Sequence, residues 1–369
     1  MKRFAAAAVV ALILIPAVSV KASGPPELSA ASSILMDAES GRVLFEQNAH
    51  EERAIASITK LMTALVAAES GHDTSEEVTI RPEWTGIEGS SIYLQAGEVV
   101  TLEALLYGLL LNSGNDAAVA VAAHCADSVE AFVERMNQWA AQLGMEQTHF
   151  TNPNGLSEEG HYSTAYDMAL LARACSKNEI VAAITATKSI SLGKRTFTNH
   201  NKLLWRYEGC TGMKTGYTEA AGRTLVSSAQ RNGQTLIVVT LNAPNDWSDH
   251  ASLFDYGFEV FPRRMLCTAG KTFRQVPVQG SLTRFIPAVT DRAVYYPLVE
   301  QEKVRAKLTL SHPVDSPVVQ GTTLGKLSFY LDEILIGETD LVAGQTAFCQ
   351  IASPQTFLGR LRELLSFKT

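Results

Sequence analysis

Two residues near the start of the chain could form a nucleophile and its base. Ser57 and Lys60 lie three positions apart in the run ASITKLMT, residues 56–63. Apolar residues follow at helical spacing as far as Gly71, so the run predicts a helix that opens at Ser57. Residues i and i+3 share one face of a helix, which brings the Lys60 amine within reach of the Ser57 hydroxyl. A serine needs such a base to attack, and lysine serves only if its surroundings lower its pKa from about 10.4.

The Ser-x-x-Lys spacing alone is weak, because most isolated pairs are an N-capping serine followed by a solvated lysine. Ser191 and Lys194 repeat the spacing. Their segment, residues 190–197, has the pattern of a strand, a turn and a second strand, in which positions i and i+3 do not stack. We therefore discount the second copy and give weight to the first only because of the motifs that follow it.

A second polar motif lies between two predicted helices. Residues 102–111 are strongly apolar and residues 116–124 are rich in alanine and valine, while Ser113 and Asn115 fall in the break between them. A Ser-x-Asn motif recurs elsewhere in the chain, so it carries little weight by itself. Its position in a break between helices is what makes it a candidate site element.

A third motif, Lys214-Thr215-Gly216, occurs once and ends a predicted strand over residues 212–215. Ser-x-x-Lys, Ser-x-Asn and Lys-Thr-Gly in this order are the signature of penicillin-binding proteins and class A β-lactamases. Gly114 replaces the aspartate of the usual Ser-Asp-Asn motif. Together with the residues that flank these motifs, the chain resembles the low-molecular-mass penicillin-binding proteins, specifically the serine-type D-alanyl-D-alanine carboxypeptidases.

The pattern of elements around the motifs predicts an α+β fold. A hairpin over residues 34–46 and strands within residues 189–241 enclose a helical middle, so the two ends should form one antiparallel sheet flanked by helices. Alternating residues after Pro262 predict a small β-rich domain of about 90 residues. The resemblance implies a β-lactamase/transpeptidase-like catalytic domain for the first part. The expected divisions are a signal peptide at 1–22, a catalytic domain at 23–262, a β-rich C-terminal domain at 263–350 and an amphipathic helix at 351–369.

The resemblance also implies roles for the polar residues. Ser57 would attack the carbonyl of the penultimate D-Ala and form an acyl-enzyme, with Lys60 as the base. Ser113 would relay a proton to the leaving amine, and Asn115 would bind the substrate amide or orient Lys60. Lys214 would supply a positive field, and its charge close to Lys60 is one physical route to a neutral Lys60 amine.

A substrate-binding group is implied on the strand of the third motif. Thr215 would bind the terminal carboxylate together with Lys214. Gly216 precedes Tyr217, whose backbone N–H, with that of Ser57, would form the oxyanion hole. The implied partners are the peptidoglycan stem peptide ending in D-Ala-D-Ala and β-lactam antibiotics as covalent inhibitors.

Both termini carry targeting patterns. Residues 1–3 are basic, residues 4–18 are apolar, and residues 20–22 fit a small-x-small cleavage site, which predicts a secretory signal peptide or, as an alternative, an uncleaved anchor. Residues 357–369 form a basic amphipathic helix that could lie in a membrane surface or dock on the body of the protein. The expected location is therefore the outer face of the bacterial cytoplasmic membrane.

Composition excludes several other functions. A net charge of -7 argues against a nucleic-acid partner. Five cysteines without a Cys-x-x-Cys pair argue against a disulfide framework or a zinc knuckle, and eight histidines show no His-Glu-x-x-His spacing. We therefore expect neither a catalytic metal nor any other cofactor.

Two alternatives share the motifs. A class A β-lactamase would need a glutamate to hydrolyse the penicilloyl ester, and Glu158 and Glu159 lie in the corresponding interval. They occupy a turn and lack the asparagine that the family places after the glutamate, so we interpret them as solvated acids. A catalytically inactive wall-binding scaffold is the second alternative, and the intact motifs argue against it.

Overall fold

The computed structural model describes residues 24–311 and 313–349 and confirms the predicted α+β class. The strands up to residue 241 are β1 (Ser32–Asp37), β2 (Val43–Gln47), β3 (Glu77–Thr79), β4 (Val99–Thr101), β5 (Ser189–Leu192), β6 (Arg195–Thr198), β7 (Cys210–Thr218), β8 (Gly222–Arg231) and β9 (Gln234–Leu241). The α-helices are α1 (Lys60–Ala68), α2 (Leu102–Leu111), α3 (Asn115–Cys125), α4 (Val129–Gln142), α5 (Ala165–Lys177), α6 (Glu179–Ala186), α7 (Leu203–Arg206) and α8 (Asp246–Val260).

One antiparallel sheet, in the order β2-β1-β9-β8-β7, forms the centre of this part. Strand β1 pairs with β9, so the N-terminal hairpin joins strands from the far end of the segment, as predicted. Ile34 and Met36 pack into the core formed with helices α1 to α6, whereas Leu35 packs with Phe254 of α8 on the opposite face. Successive side chains of a strand point to opposite faces of the sheet, and helices pack against both faces. Strand β7 forms one edge of the sheet.

The helix predicted to open at Ser57 needs a correction. Ala56–Thr59 form a 3₁₀ turn, and the α-helix begins at Lys60. Ala56 has a left-handed φ of 52°, and a Cβ on Gly155 would lie 2.1 Å from the Ala56 carbonyl oxygen. Because tertiary packing fixes this backbone, the sequence around Ser57 does not reveal it. Positions i and i+3 eclipse in a 3₁₀ turn, so Ser57 and Lys60 still meet.

The strand carrying the third motif is also longer than predicted. Strand β7 continues to Thr218 and turns back at Gly222, so Lys214-Thr215-Gly216 lies inside the strand and not at its end. Glycine inside a strand can mark the close approach of another backbone, and Gly216 lies against the backbone at Ser57, as described below.

The remaining helix predictions hold with small shifts. The break after α2 is confirmed, with Ser113 at a φ of 62° between the two helices. Residues 164–167 have the pattern of a helix N-terminus, and Thr164 does cap α5, since its hydroxyl accepts a 3.0 Å hydrogen bond from the Asp167 N–H. Residues 181–188 have a helical pattern, but helix α6 ends at Ala186 and does not reach Lys188.

The described residues after Pro262, up to residue 349, are built from β-strands, as predicted. They are β10 (Arg263–Cys267), β11 (Thr272–Gln279), β12 (Phe285–Thr290), β13 (Val294–Pro297), β14 (Arg305–Leu310), β15 (Val314–Asp315), β16 (Thr323–Leu331) and β17 (Ile334–Ala343). Six of them form a sheet in the order β14-β16-β17-β12-β11-β15 over a separate apolar core. The pattern of residues 324–342 predicts two or three short strands, but these residues form one hairpin that turns at Asp332 and Glu333, because Gly337 continues the strand and does not break it.

The two ends of the chain lie outside the described residues, and with them the predicted signal peptide and the amphipathic helix. Within residues 24–311 and 313–349, none of the helices is both long and apolar enough to cross a bilayer.

Candidate active site

The centre of the site is the side chain of Lys60, which is fully buried at the start of α1. Its Nζ atom lies 2.9 Å from the Ser57 Oγ atom and 2.7 Å from the Asn115 Oδ1 atom. It also hydrogen-bonds the backbone carbonyl of Asn154. The lysine amine is therefore held at three points, and all three partners are uncharged.

These surroundings shift the Lys60 amine toward its neutral form. Burial lowers the pKa of Lys60 well below its usual range, and the nearby charge of Lys214 lowers it further. The Asp116 carboxylate opposes both effects with a weaker influence. The requirement stated from the sequence is a lysine whose surroundings lower its pKa, so that the amine can be neutral. Desolvation contributes most to this shift and the like charge of Lys214 contributes second.

Lys214 is the second buried lysine of the site. Its side chain is 1% exposed, and its Nζ atom donates a 2.7 Å hydrogen bond to the Thr215 carbonyl. Burial lowers the pKa of Lys214 to about 7. Its charge therefore changes across the neutral range, unlike that of a solvated lysine.

The first two residues of α3 hold the loop of residues 88–94 beside the site through hydrogen bonds. The Asn115 side chain donates to the Glu88 carbonyl, and its backbone N–H donates a 2.7 Å hydrogen bond to the Ser90 carbonyl. The Asp116 carboxylate accepts three further hydrogen bonds, at 2.6 to 3.0 Å, from a side chain and two backbone N–H groups of residues 91–94. One helix N-terminus thus holds the Lys60 amine and fixes the loop that carries Ser90.

Strand β7 closes the other side of the site through Gly216. A Cβ on this residue would lie 3.0 Å from the Ser57 backbone nitrogen and 2.4 Å from the Thr224 Oγ1 atom. The Thr224 hydroxyl in turn donates a 3.0 Å hydrogen bond to the Ile55 carbonyl. Gly216 is therefore the residue that lets the edge strand lie directly against the Ser57 amide.

A cavity of about 370 Å³ opens in front of Ser57. Its walls are formed by Ser57, Ser90, Ser113, His200, Lys202, Thr215, Gly216, Tyr217, Arg223, Asp246 and Trp247. All eight residues named from the sequence come together here. Five of them line the cavity, while Lys60, Asn115 and Lys214 lie buried behind its wall.

Arg223 is the main cavity residue that the sequence did not suggest. It lies on β8 opposite Tyr217, and its guanidinium donates to both carboxylate oxygens of the buried Asp246, at 2.9 and 2.8 Å. The guanidinium also lies over the Trp247 ring, 5.6 Å from its centre. No motif marks an arginine on a neighbouring strand, so only the strand pairing reveals it. Asn154 was missed for another reason, since it contributes a backbone carbonyl that any residue could supply.

The motifs discounted from the sequence lie apart from this cavity. Ser191 belongs to the β5–β6 hairpin, where its hydroxyl pairs with that of Thr196 at 2.8 Å. Glu158 is an exposed acid that accepts hydrogen bonds from Thr151 and Asn152. A larger cavity, of about 610 Å³, has no serine, cysteine, lysine or histidine among its lining residues and thus no candidate nucleophile.

Comparison with known proteins identifies related families for both parts of the chain. A family model described as D-alanyl-D-alanine carboxypeptidase matches residues 19–245, and one described as Penicillin-binding protein 5, C-terminal domain, matches residues 261–347. The D-alanyl-D-alanine carboxypeptidase DacF of Bacillus subtilis is 32% identical over 329 residues, which are 85% of either chain. DacA of Escherichia coli strain K12 is 34% identical over 342 residues, which are 87% of this chain and 84% of DacA.

Solved structures of penicillin-binding proteins are also similar to this chain. Penicillin binding protein 5 from Haemophilus influenzae has a TM-score of 0.72 and 30% sequence identity, covering 88% of this chain and 99% of that one. The peptidoglycan synthesis regulatory factor PBP3 from Streptococcus pneumoniae has a TM-score of 0.78 and 26% identity, covering 87% and 100%.

Proposed function

The chain belongs to the D-alanyl-D-alanine carboxypeptidase family of peptidases, and on that premise we propose that Ser57 removes the terminal D-Ala of peptidoglycan stem pentapeptides through an acyl-enzyme. The protein is a serine-type D-Ala-D-Ala carboxypeptidase, a hydrolase related to penicillin-binding proteins. The observation that carries the assignment of Ser57 is its hydrogen bond to a buried Lys60 amine with three uncharged partners.

The three hydrogen-bond partners of Lys60 are compatible with a neutral amine that acts as a base. A neutral amine has two N–H groups and one lone pair. The oxygens of Asn115 and Asn154 accept the two N–H groups, which leaves the lone pair to face the Ser57 hydroxyl. In this state the Ser57 O–H donates to Lys60, and a short proton transfer generates the attacking oxygen.

The reaction then follows the order of an acyl transfer. The Ser57 oxygen bonds to the carbonyl carbon of the penultimate D-Ala, and its proton passes to the Lys60 amine. As the C–N bond breaks, the proton taken up by Lys60 passes through the Ser113 hydroxyl to the leaving D-Ala nitrogen, and Lys60 becomes neutral again. Water adds to the resulting ester, releases the shortened peptide and restores Ser57. A β-lactam ring acylates the same oxygen, but its ring-opened product hydrolyses slowly.

The developing oxyanion is stabilised by the backbone N–H groups of Ser57 and Tyr217. The support for this assignment is the contact that Gly216 allows, since β7 lies against the Ser57 amide. Losing one such donor typically costs about 100- to 1,000-fold in rate.

The free carboxylate of the substrate is bound by a group of polar residues on β7 and β8. Thr215 and Arg223 both line the cavity, and Lys214 lies directly behind Thr215. Arg223 is already oriented by Asp246 and Trp247, so little side-chain entropy is lost when a second carboxylate binds. These contacts support recognition of a C-terminal carboxylate at the Arg223 end of the cavity.

The decisive experiment compares Ser57→Ala with Ser191→Ala, which removes the serine of the discounted motif. Each purified protein is labelled with a fluorescent penicillin, and D-Ala release from a diacyl-D-Ala-D-Ala peptide is followed in the same samples. We expect a stable label and D-Ala release from the wild type and from Ser191→Ala, and neither from Ser57→Ala. Rapid penicillin turnover without D-Ala release would instead indicate a β-lactamase. A folded wild type that does neither would indicate a scaffold.

The family implies a function outside the cytoplasm. We propose that residues 1–22 direct export, that residues 23–262 form the catalytic domain and residues 263–350 a separate β-rich domain, and that residues 351–369 bind the membrane surface. Deleting residues 357–369 should release the protein from the membrane fraction while penicillin labelling is retained. If the shortened protein remains with the membrane, the terminal helix is not the anchor.

A further inference from the structure

A second cluster of functional side chains lies away from the cavity. His72 and Glu76 follow α1, and His124 lies in the last turn of α3. The His72 Nδ1 atom is 2.8 Å from the Glu76 Oε2 atom, and the His124 Nε2 atom is 3.1 Å from the same oxygen. All three atoms lie within 4.8 Å of one another.

These N···O distances are close to the distance between two ligand atoms bound to one metal ion. With metal–ligand bonds of about 2.0 to 2.1 Å, two ligands of a tetrahedral zinc ion are about 3.3 to 3.4 Å apart. The two measured separations fall within about half an ångström of this value. A small outward movement of the rings would therefore admit an ion in place of the two hydrogen bonds.

The backbone holds the carboxylate of Glu76 in position. Its second oxygen, Oε1, accepts a 2.8 Å hydrogen bond from the Asp73 N–H, which leaves Oε2 directed at the two imidazoles. The Glu76 carbonyl accepts a 2.9 Å hydrogen bond from the Leu102 N–H, which fixes the turn itself. Such supporting hydrogen bonds to a ligating carboxylate are typical of metal sites.

We propose that His72, Glu76 and His124 bind one divalent transition-metal ion, with Zn²⁺ as the preferred ion. Two imidazoles and one carboxylate form a ligand set that suits zinc, and a water molecule would complete the tetrahedron. The His72 and His124 side chains are 34% and 20% exposed, so an ion can enter from solvent. The charge of the carboxylate favours a cation over a neutral ligand.

The position of the cluster gives the metal a structural role. Lys60 begins α1 and Asn115 begins α3, and the two side chains are hydrogen-bonded. His72 and His124 lie at the other ends of the same two helices. At 1.5 Å per residue, α1 alone separates the ion from Lys60 by roughly 13 Å, too far for contact with the substrate. The ion would tie together the two helices that hold the base and its orienting amide.

The test uses the full chain, stripped of metal with a chelator and titrated with zinc chloride. Calorimetry gives the stoichiometry and affinity, and thermal unfolding gives the stabilisation. The variants are Glu76→Gln and His124→Gln, with penicillin labelling as the check that each is folded. The matched control is His50→Gln, because His50 and Glu46 form an i,i+4 pair, with Nε2 and Oε2 3.9 Å apart, outside the three-residue cluster.

We expect the wild type and His50→Gln to bind one Zn²⁺ per chain. At a free zinc concentration of 100 times Kd, the Tm should rise by about 5 to 10 °C. Glu76→Gln and His124→Gln should bind about 100-fold more weakly while they still react with penicillin. Binding that is absent from the wild type, unchanged in both variants, or lost in His50→Gln would overturn the proposal. The penicillin reaction does not depend on these residues, so this failure would leave the proposed function intact.

Discussion

The Lys60 amine and the Asn115 side-chain oxygen are 2.7 Å apart, although 55 positions separate the two residues in the sequence. Each residue begins a helix, so the contact joins the first turns of α1 and α3. The partner is an amide, which can orient the amine without adding a charge. A carboxylate in the same position would stabilise the protonated amine and raise its pKa.

Asn115→Asp should therefore slow acylation through the pKa of Lys60. We expect the rate of penicillin acylation at pH 7 to fall about 100- to 10,000-fold, the range associated with loss of a general base, and to recover in part as the pH is raised. The measurement is the acylation rate between pH 6 and pH 10. Asn232→Asp, which adds the same charge on an exposed turn, is the control. A loss that is independent of pH would show that Asn115 acts on the substrate and not on Lys60.

The pKa shifts of the two buried lysines predict that peptide hydrolysis slows on both the acid and the alkaline side of its pH profile. Acidification protonates Lys60 and removes the base, so kcat/KM falls on the acid side. Lys214 has a pKa lowered to about 7, so it loses its charge as the pH rises above 7 and binds the substrate carboxylate less well. The profile of kcat/KM for a D-Ala-D-Ala peptide should therefore be bell-shaped.

Lys214→Arg separates the two limbs, because an arginine keeps its charge throughout this range. In this variant the alkaline limb should move out of the measured range, while the acid limb remains. Steady-state kinetics between pH 5 and pH 10 provide the comparison. If the alkaline limb is unchanged in the variant, that limb does not arise from Lys214.

Gly216→Ala tests the close approach of β7 to the nucleophile. The added methyl group would lie 3.0 Å from the Ser57 nitrogen, and the strand would have to move away from the amide. We expect penicillin acylation to slow about 100- to 1,000-fold, as for loss of an oxyanion-hole donor. Gly193→Ala is the control, because nothing lies within 4 Å of its Cβ position, and its cost should be confined to stability through its φ of 58°.

The double variant Gly216→Ala/Thr224→Ala identifies which contact matters. It removes the hydroxyl that would lie 2.4 Å from the new methyl group but leaves the contact with Ser57. The acylation rate should remain low in the double variant. Full recovery would assign the effect to crowding at Thr224 and remove support for an oxyanion hole at this point.

The sequence was sufficient to predict that Ser57 and Ser113 lie next to helix ends. Each belongs to a short motif beside an apolar run, and the period of that run predicts the helix. The hairpin that contains β1 was also predicted, but the face that each side chain covers was not, because Ile34 and Leu35 are both apolar and pack in different cores.

The sequence could not predict features that depend on distant packing. The 3₁₀ turn at Ser57 follows from the left-handed Ala56 backbone, which Gly155 accommodates almost 100 residues later in the chain. The extension of β7 through Gly216 depends on pairing with β8. Arg223 enters the cavity by the same pairing, so its role became visible only in three dimensions.

Arg223→Ala should reduce the preference of the enzyme for a free C-terminal carboxylate. The guanidinium lines the cavity and is held by Asp246, and a charged hydrogen bond contributes about 1.5 to 3 kcal/mol, or about 10- to 100-fold in kcat/KM. Two peptides that differ only in a C-terminal carboxylate or carboxamide are compared. The variant should lose activity toward the acid and change little toward the amide.

Arg231→Ala is the matched control for this prediction. Arg231 lies on the same strand, pairs with Asp255 at 3.2 Å and covers the Tyr207 ring at 4.6 Å, yet it lies outside the cavity of Ser57. Its loss should leave the ratio of acid to amide hydrolysis unchanged. An equal loss on both peptides in Arg223→Ala would mean that this arginine supports the cavity wall through Asp246 and makes no contact with the carboxylate. The ratio of acid to amide hydrolysis does not depend on the amount of active enzyme. The comparison therefore also holds if either variant is less stable.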